Sequence, residues 1–172
     1  MQKETCTTCG KSKSILNCGM CAVTVCKHCA QFIDEDTFSF LDVKKPEMAH
    51  STFCNTCFDQ HIAADLVLYE QTMETAKNIS IYYNDQGKET RLMKRIDVLL
   101  TVNDCTDRNE IIMRLAFKAV QMGFNAVIDV DIVATKVRTG AYQTHMYRAT
   151  GIPSNAHEKN KVHDRSIWQS RN

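Results

Sequence analysis

Eight of the nine cysteines in this chain occur as Cys-x-x-Cys pairs. The pairs are Cys6 with Cys9, Cys18 with Cys21, Cys26 with Cys29, and Cys54 with Cys57. Zinc prefers four thiolates in a tetrahedron with Zn–S distances of about 2.3 Å, and one such pair delivers two sulfurs to one ion. Four pairs therefore predict two structural Zn2+ ions per chain. All-thiolate sites of this kind leave no coordination position for water, so they are not catalytic.

The spacing of the pairs leaves two ways of sharing the ions. In a sequential arrangement the first two pairs hold one ion and the last two pairs hold the other. In a cross-brace the first and third pairs share an ion, as do the second and fourth. Only four residues separate the second pair from the third, which is too short for two independent lobes. The spacing therefore favours the cross-brace, with Cys6, Cys9, Cys26 and Cys29 on zinc 1 and Cys18, Cys21, Cys54 and Cys57 on zinc 2.

Length and composition limit the classes of protein that the chain can belong to. Its 172 residues suit one medium domain or two small ones. It has no apolar run of the roughly 20 residues that cross a bilayer, and its start lacks the pattern of a secretory leader. We therefore expect a cytoplasmic protein, in which thiols stay reduced and bind metal rather than form disulfides.

The charge of the cysteine-rich region disfavours a polyanionic partner for it. Residues 1–58 carry six Lys or Arg and six Asp or Glu. Eight thiolates with two dications add four net negative charges, so the loaded module is acidic. Nucleic acids and anionic membranes bind basic surfaces. Lys11 and Lys13 are expected to be solvated charges, with a local anion-binding patch as the alternative.

A helical pattern follows the last cysteine pair. Its apolar residues recur every three or four positions and share one face of a helix: Ile62, Leu66, Tyr69, Met73 and Ala76. This helix, over residues 59–78, is predicted to connect the zinc module, 1–58, with a second domain, 79–152. Docking against a neighbouring domain is favoured, and self-association through the helix is the alternative. The polar tail, 153–172, is expected to be flexible, with docking of Trp168 on a partner as the alternative.

The fold class predicted for the whole chain is α+β. The second domain has the order β-β-α-β-β, with one helix over an antiparallel sheet. Strands are expected over 79–83 and 95–102, followed by a helix that Thr106 or Asp107 caps and Gly123 ends. A long strand over 125–137, a tight turn and a returning strand over 142–151 complete the domain.

Two aspartates of the long strand, Asp129 and Asp131, raise the question of chemistry in this domain. A metal site or an acid–base pair with His145 on the returning strand is one interpretation. A two-residue turn at Thr139–Gly140 instead places Asp131 opposite Arg148, and we favour the resulting cross-strand ion pair.

The cysteine-rich region resembles FYVE-type zinc fingers. The segments that carry the resemblance, over residues 4–60, are "NCGMCAVTVCKHC" and "FCNTCF". The resemblance implies a cross-brace module holding two zinc ions. The basic motif and the leading Trp-x-x-Asp with which lipid-binding members clasp a phosphoinositide have no counterpart here, so membrane binding is not favoured.

Residues 79–152 resemble the YbjQ type of small domain, a family described as heavy-metal-binding. The segments "AFKAVQMGFNAVIDVDI" and "YRATGIP" carry the resemblance, through Ala119, Gly123, Asn125, Ala126 and Val127. Members of this family assemble into rings, pentamers in particular. The resemblance therefore implies a homo-oligomer in which each subunit displays one zinc module.

Together these observations predict a non-catalytic zinc-binding adaptor or scaffold that recognises a protein partner. The sequence contains no phosphate-binding glycine loop, nucleophile elbow or open metal site, and Cys105 has no evident catalytic partner, so no catalytic or cofactor-binding residue is assigned beyond the zinc ligands. Phosphoinositide binding by the zinc module and metal sensing or handling are the alternatives. Nucleic acid is disfavoured.

Overall fold

The computed structural model describes residues 5–11 and 16–156. The chain divides between Glu70 and Gln71 into two compact units. The predictions for Lys13, and for the tail from residue 157 with Trp168, fall outside the described residues. Within them, no helix has the length and apolar character needed to span a bilayer.

The first unit contains two short antiparallel pairs of strands, and its two α-helices follow the second pair. Its elements are β1 (Leu16–Asn17), β2 (Thr24–Val25), β3 (Ala30–Phe32), a 3-10 helix (Pro46–Ala49), β4 (Thr52–Cys54), α1 (Asn55–His61) and the first half of α2 (Ala63–Ala76), a helix that the division at Glu70 cuts. Strand β1 pairs with β2 and β3 pairs with β4, both antiparallel. These strands have only two or three residues each, and the paired cysteines lie in or beside them.

The helices of this unit pack on an apolar cluster beside the cysteines. Ile62 lies between α1 and α2 and is completely buried with Phe38 and Phe53. The ring of Phe38 meets Tyr69 of α2 edge-on, with ring centroids 5.3 Å apart. Sequence analysis places Ile62 and Tyr69 on the apolar face of a helix, and both belong to this cluster.

The second unit is a four-stranded sheet with one helix. Its elements are β5 (Ser80–Tyr83), β6 (Leu100–Cys105), α3 (Arg108–Gln121), β7 (Ala126–Thr139) and β8 (Tyr142–Ser154). The strands lie in the order β5-β7-β8-β6. The mixed α and β content confirms the predicted class. The prediction of a fully antiparallel sheet is wrong, because β5 pairs with β7 in parallel. The long connection through β6 and α3 makes this parallel pairing geometrically accessible.

Helix α3 begins and ends where the sequence predicts. The carboxylate of Asp107 accepts hydrogen bonds from the backbone N–H groups of Asn109 and Glu110, which otherwise lack helical partners. Gly123 follows the helix with φ of +82°, a left-handed conformation that glycine adopts without steric cost. The buried residues of the helix face the sheet: Ile111, Ile112, Leu115, Ala116, Phe117 and Ala119.

The segment 84–99 consists of turns followed, from residue 94, by irregular backbone instead of the strand expected from residue 95, and β6 starts only at Leu100. Met93 from this segment is buried in a cluster with Tyr82, Ala126 and Ile128. It therefore supplies core packing without supplying a strand.

The register of β7 with β8 differs from the sequence prediction. Thr139 pairs with Tyr142, so the turn is Gly140–Ala141 rather than Thr139–Gly140. Asp131 consequently lies opposite Thr150, and Arg148 lies opposite Val133. The predicted facing pair of Asp131 and Arg148 is therefore wrong.

Beyond the core of the sheet the β7–β8 hairpin extends alone. Strand β5 pairs with β7 only as far as Val130, and β6 pairs with β8 only from Tyr147 onward. We call the hairpin between these points, residues 132–146, the β-arm. Seven residue steps from its base at Ile132 to Thr139 span about 24 Å. Along the arm both outer strand edges lack a neighbouring strand among the described residues.

Candidate metal centres

The structure gathers the eight paired cysteines into two groups of four. One group is Cys6, Cys9, Cys26 and Cys29; the other is Cys18, Cys21, Cys54 and Cys57. Within each group all sulfur atoms lie within 4.8 Å of one another. These are the two sets that the cross-brace requires, whereas the sequential arrangement would have united the first pair with the second. In the described part of the chain, no other group of three or more His, Cys, Asp or Glu side chains converges in this way.

The distances between sulfurs fit a single central ion. Four sulfurs held about 2.3 Å from a zinc ion stand about 3.8 Å apart along each edge of the tetrahedron. The Sγ atoms of Cys9 and Cys26 are 3.7 Å apart, and those of Cys21 and Cys54 are 3.8 Å apart. Both separations are far beyond the ~2.05 Å of a disulfide, and all nine cysteines are free thiols.

Tight backbone turns hold the first two cysteine pairs. The N–H of Gly10 donates to the carbonyl of Cys6 at 2.8 Å, and the N–H of Ala22 donates to the carbonyl of Cys18 at 2.9 Å. In each turn the residue after the second cysteine is left-handed, with φ of +69° at Gly10 and +59° at Ala22. The cysteine spacing carries no signal for this shared requirement on the residue that follows.

Backbone N–H groups also point at the sulfurs. The N–H of Cys26 lies 3.4 Å from the Sγ of Cys6, and the N–H of Cys57 lies 3.5 Å from the Sγ of Cys54. The second contact caps the start of α1, so one thiol both faces the metal site and starts the helix. Hydrogen bonds of this kind stabilise a thiolate relative to a thiol.

Within each group the pKa of one thiol is lowered and that of another is raised. N–H groups, first that of Cys9 and then that of Cys26, lower the pKa of Cys6 to about 6 despite burial. Hydrogen bonding with the sulfurs of Cys26 and Cys9 raises the pKa of Cys29 to about 12.

The second group behaves in the same way. Burial opposes ionisation of Cys18, but the N–H groups of Cys21 and Cys54 outweigh it and set that pKa at about 6. The pKa of Cys57 is raised, first by burial and then by hydrogen bonding with Cys21. Each further thiolate is repelled by the negative charge of those already formed, so four thiolates can coexist only around a cation. The donor set thus fits a soft, tetrahedral divalent metal such as zinc.

The two groups share one pattern of burial. The first and third cysteines of each group are buried, the second is exposed and the fourth is partly buried. The buried members pack with Val25 and with the partly buried Met20 and Val23. Each ion would therefore lie at the edge of the apolar core, held from inside and approached by solvent on one side.

The structure separates the other residues that the sequence singled out. Asp129 occupies a bulge of β7 with φ of +52° and accepts two hydrogen bonds from the guanidinium of Arg95, at 2.8 and 3.1 Å. The Asp131 carboxylate accepts a long hydrogen bond from Asn84, at 3.5 Å. His145 lies opposite Lys136 on the arm. The bulge and these separate partners leave no acid–base or metal constellation among the three.

Cys105 is buried at the end of β6. Burial, followed by the charge of Glu110, raises the pKa of its thiol. The thiol donates to the carbonyl of Asn103 at 3.7 Å. A thiol that is kept neutral is a poor nucleophile, so its environment favours the packing role over the reactive one.

One cavity lies on the sheet at the base of the β-arm. It has a volume of about 350 Å3. Its lining consists of Asp131, Val133, Thr135, Arg148 and Thr150. These residues share one face of the hairpin. Asp131 and Arg148, which do not face each other directly, thus line the same cavity.

Comparisons with models of protein families, with curated proteins and with solved structures found no match to this chain. The FYVE-type and YbjQ-type resemblances therefore stay predictions.

Proposed function

We propose that this chain is a non-catalytic, zinc-stabilised adaptor that displays its cysteine module on a self-associating second unit. One observation carries the proposal: eight sulfurs form two complete sets of four, with no paired cysteine left over. Complete thiolate sets occupy every position of a tetrahedral ion, so no substrate or water can bind the metal. The role assigned to the metal is consequently structural.

Zinc is the metal that we assign to both sites. Tetrahedral sets of four thiolates select zinc or iron–sulfur clusters, and single-ion edges of 3.7 and 3.8 Å match zinc. Free thiols as ligands also suit a reducing compartment such as the cytoplasm. The first unit is small and its strands are short, and modules of this size commonly depend on bound metal to fold.

Self-association is assigned to the β-arm. Two-stranded hairpins are marginally stable alone in water, and open strand edges invite pairing with another chain. One face of the arm carries apolar side chains, including Val133, Val137 and Tyr142, which are 51%, 38% and 84% exposed. A second copy of this chain would cover this face and pair with the edges.

The two open edges differ, which bears on the symmetry of the assembly. One edge belongs to β7 and the other to β8, so pairing the β7 edge of one copy with the β8 edge of the next is head-to-tail. Head-to-tail contacts produce a closed ring when the rotation closes. A ring would present several zinc modules together and raise avidity for a protein partner without any new contact.

Native mass spectrometry of the full chain tests the proposal. We expect two zinc ions per chain and a closed oligomer. Val137→Lys should yield monomers that keep both ions, because it places a charge on the apolar face of the arm. Val43→Lys is the matched control, since Val43 is 85% exposed in the first unit, and it should leave the assembly intact.

Folded protein without zinc would overturn the metal assignment. A wild-type monomer at micromolar concentration, or dissociation by both substitutions alike, would overturn the role of the arm.

A further inference from the structure

The face of the β-arm opposite the apolar one is basic and aromatic. Register places Lys136 opposite His145, Arg138 opposite Gln143, and Ala134 opposite Tyr147, so these side chains share one face. Between Ile132 and Tyr147 the sequence contains two Lys or Arg, Lys136 and Arg138, and no Asp or Glu. This face of the hairpin thus carries two cations and no carboxylate.

The basic side chains are available to a partner. Lys136, Arg138 and His145 are exposed, and Tyr147 is partly buried at the base of the arm. The Nε of Arg138 donates to the carbonyl of Gly140 at 3.3 Å, which holds the guanidinium beside the turn and leaves its terminal nitrogens open. Neither the Lys136 ammonium nor the His145 ring makes an ion pair within the described residues.

The two rings of this face are arranged for stacking. The centroids of His145 and Tyr147 lie 6.4 Å apart with planes tilted by 31°. Residues two apart on one strand are about 6.8 Å apart, so the cations of Lys136 and Arg138 run parallel to the pair of rings on the neighbouring strand. Proteins that bind single-stranded nucleic acid combine cations that follow the phosphates with flat rings on which bases stack.

We infer that the basic face of the β-arm binds single-stranded nucleic acid, with Lys136 and Arg138 on phosphates and His145 and Tyr147 against bases. This inference goes beyond the proposed function. The acidic charge that disfavoured nucleic acid belongs to the zinc module, whereas this surface lies on the second unit. A phosphoinositide head group fits the face less well, because the cavity beside the arm opens on the opposite, apolar face. Ring stacking likewise favours bases over an acidic peptide.

Fluorescence anisotropy with a fluorescein-labelled single-stranded RNA of twelve nucleotides tests the inference on the zinc-loaded full chain. The logarithm of the binding constant should fall linearly with the logarithm of the salt concentration, by a slope of about 0.7 for each phosphate contact. The double variant Lys136→Ala/Arg138→Ala should therefore flatten the slope by about 1.4 for each arm engaged. His145→Ala should weaken binding roughly fivefold or more at unchanged slope, since stacking does not release counterions.

The matched control is Lys88→Ala/Arg91→Ala, which removes one lysine and one arginine that are exposed elsewhere in the same unit. It should leave affinity and slope unchanged. The inference is overturned by the absence of RNA binding at low salt, by an equal effect of the two double variants, by preference for a duplex of the same sequence, or by effective competition from phosphoinositide vesicles. Native mass spectrometry of the same samples reports assembly and zinc content, so a failure here is distinguishable from a failure of the proposed function.

Discussion

The turns that hold the first two cysteine pairs offer a reciprocal test of the metal centres. Gly10 and Ala22 occupy equivalent places, one residue after the second cysteine, and both are left-handed. Glycine tolerates this conformation, whereas alanine brings its Cβ too close to a carbonyl oxygen. Gly10→Ala should therefore weaken zinc 1, and Ala22→Gly should strengthen zinc 2.

The expected magnitude follows from the backbone alone. A Cβ built at Gly10 meets no atom within 4 Å, and Ala22 is exposed, so neither change alters packing. A left-handed alanine costs about 1–2 kcal/mol, and its lower freedom in the unfolded chain returns about 0.4–1 kcal/mol. The net difference is roughly 0.5–1 kcal/mol, which is about a two- to fivefold change in affinity.

Competition with a chromophoric chelator measures the effect, because folding of such a module and metal binding are coupled. The zinc dissociation constant should rise two- to fivefold in Gly10→Ala and fall by a similar factor in Ala22→Gly. The double variant should show the sum of the two free-energy changes, since the residues serve different ions. Changes of the same sign in both single variants would refute the argument from backbone conformation.

Three further predictions concern single positions. Gly19→Ala should destabilise the first unit by about 1–3 kcal/mol, because its Cβ would lie 2.6 Å from the Cγ and 2.7 Å from the Cβ of His50. His50→Gly removes both atoms and should restore most of the lost thermal stability, whereas His50→Ala keeps the Cβ and should restore little. Asp107→Ala should cost about 1 kcal/mol in denaturant unfolding of the second unit, through loss of the helix cap. Burial raises the pKa of the Cys105 thiol in the folded state above its ordinary value of 9.0. The neutral thiol therefore stabilises the fold below pH 9.0, and this stabilisation is lost as the pH rises further and the thiol ionises. The stability difference between wild type and Cys105→Ala should therefore be constant at neutral pH and decline in alkaline buffer; a difference that grows there would contradict the burial argument.

The two groups of cysteines could be predicted from the sequence because each Cys-x-x-Cys pair is local. A Cys-x-x-Cys spacing places two sulfurs on one side of a turn whatever surrounds it, and the short link before Cys26 restricts how pairs combine. The cap at Asp107 and the left-handed Gly123 were predictable for the same reason, since each depends on its own few residues. The left-handed conformation of Ala22 could not be predicted, because alanine carries no sequence signal for it.

The register of the sheet could not be predicted in this way. It depends on a bulge at Asp129 and on a turn displaced by one residue, and neither alters the alternation of apolar and polar residues along β7. The direction of β5 was equally hidden, because its four buried residues show no periodicity. The β-arm exists only because β5 and β6 end early, so it follows from the lengths of strands distant in sequence.

The two faces of the arm differ in chemistry, one apolar and one basic, and one partner does not suit both. Val133, Val137 and Tyr142 need an apolar cover, which a neighbouring copy would supply in the proposed assembly. Lys136 and Arg138 repel their counterparts in a second copy, so their face must remain open to solvent or to an anion. Burial of the first face in an assembly would leave the second displayed on every subunit. One chain carries too few cations on this face for firm binding, and self-association would bring the cations of several chains together. The two faces of the arm would then act together through avidity, while substitutions on one face would leave the other unchanged.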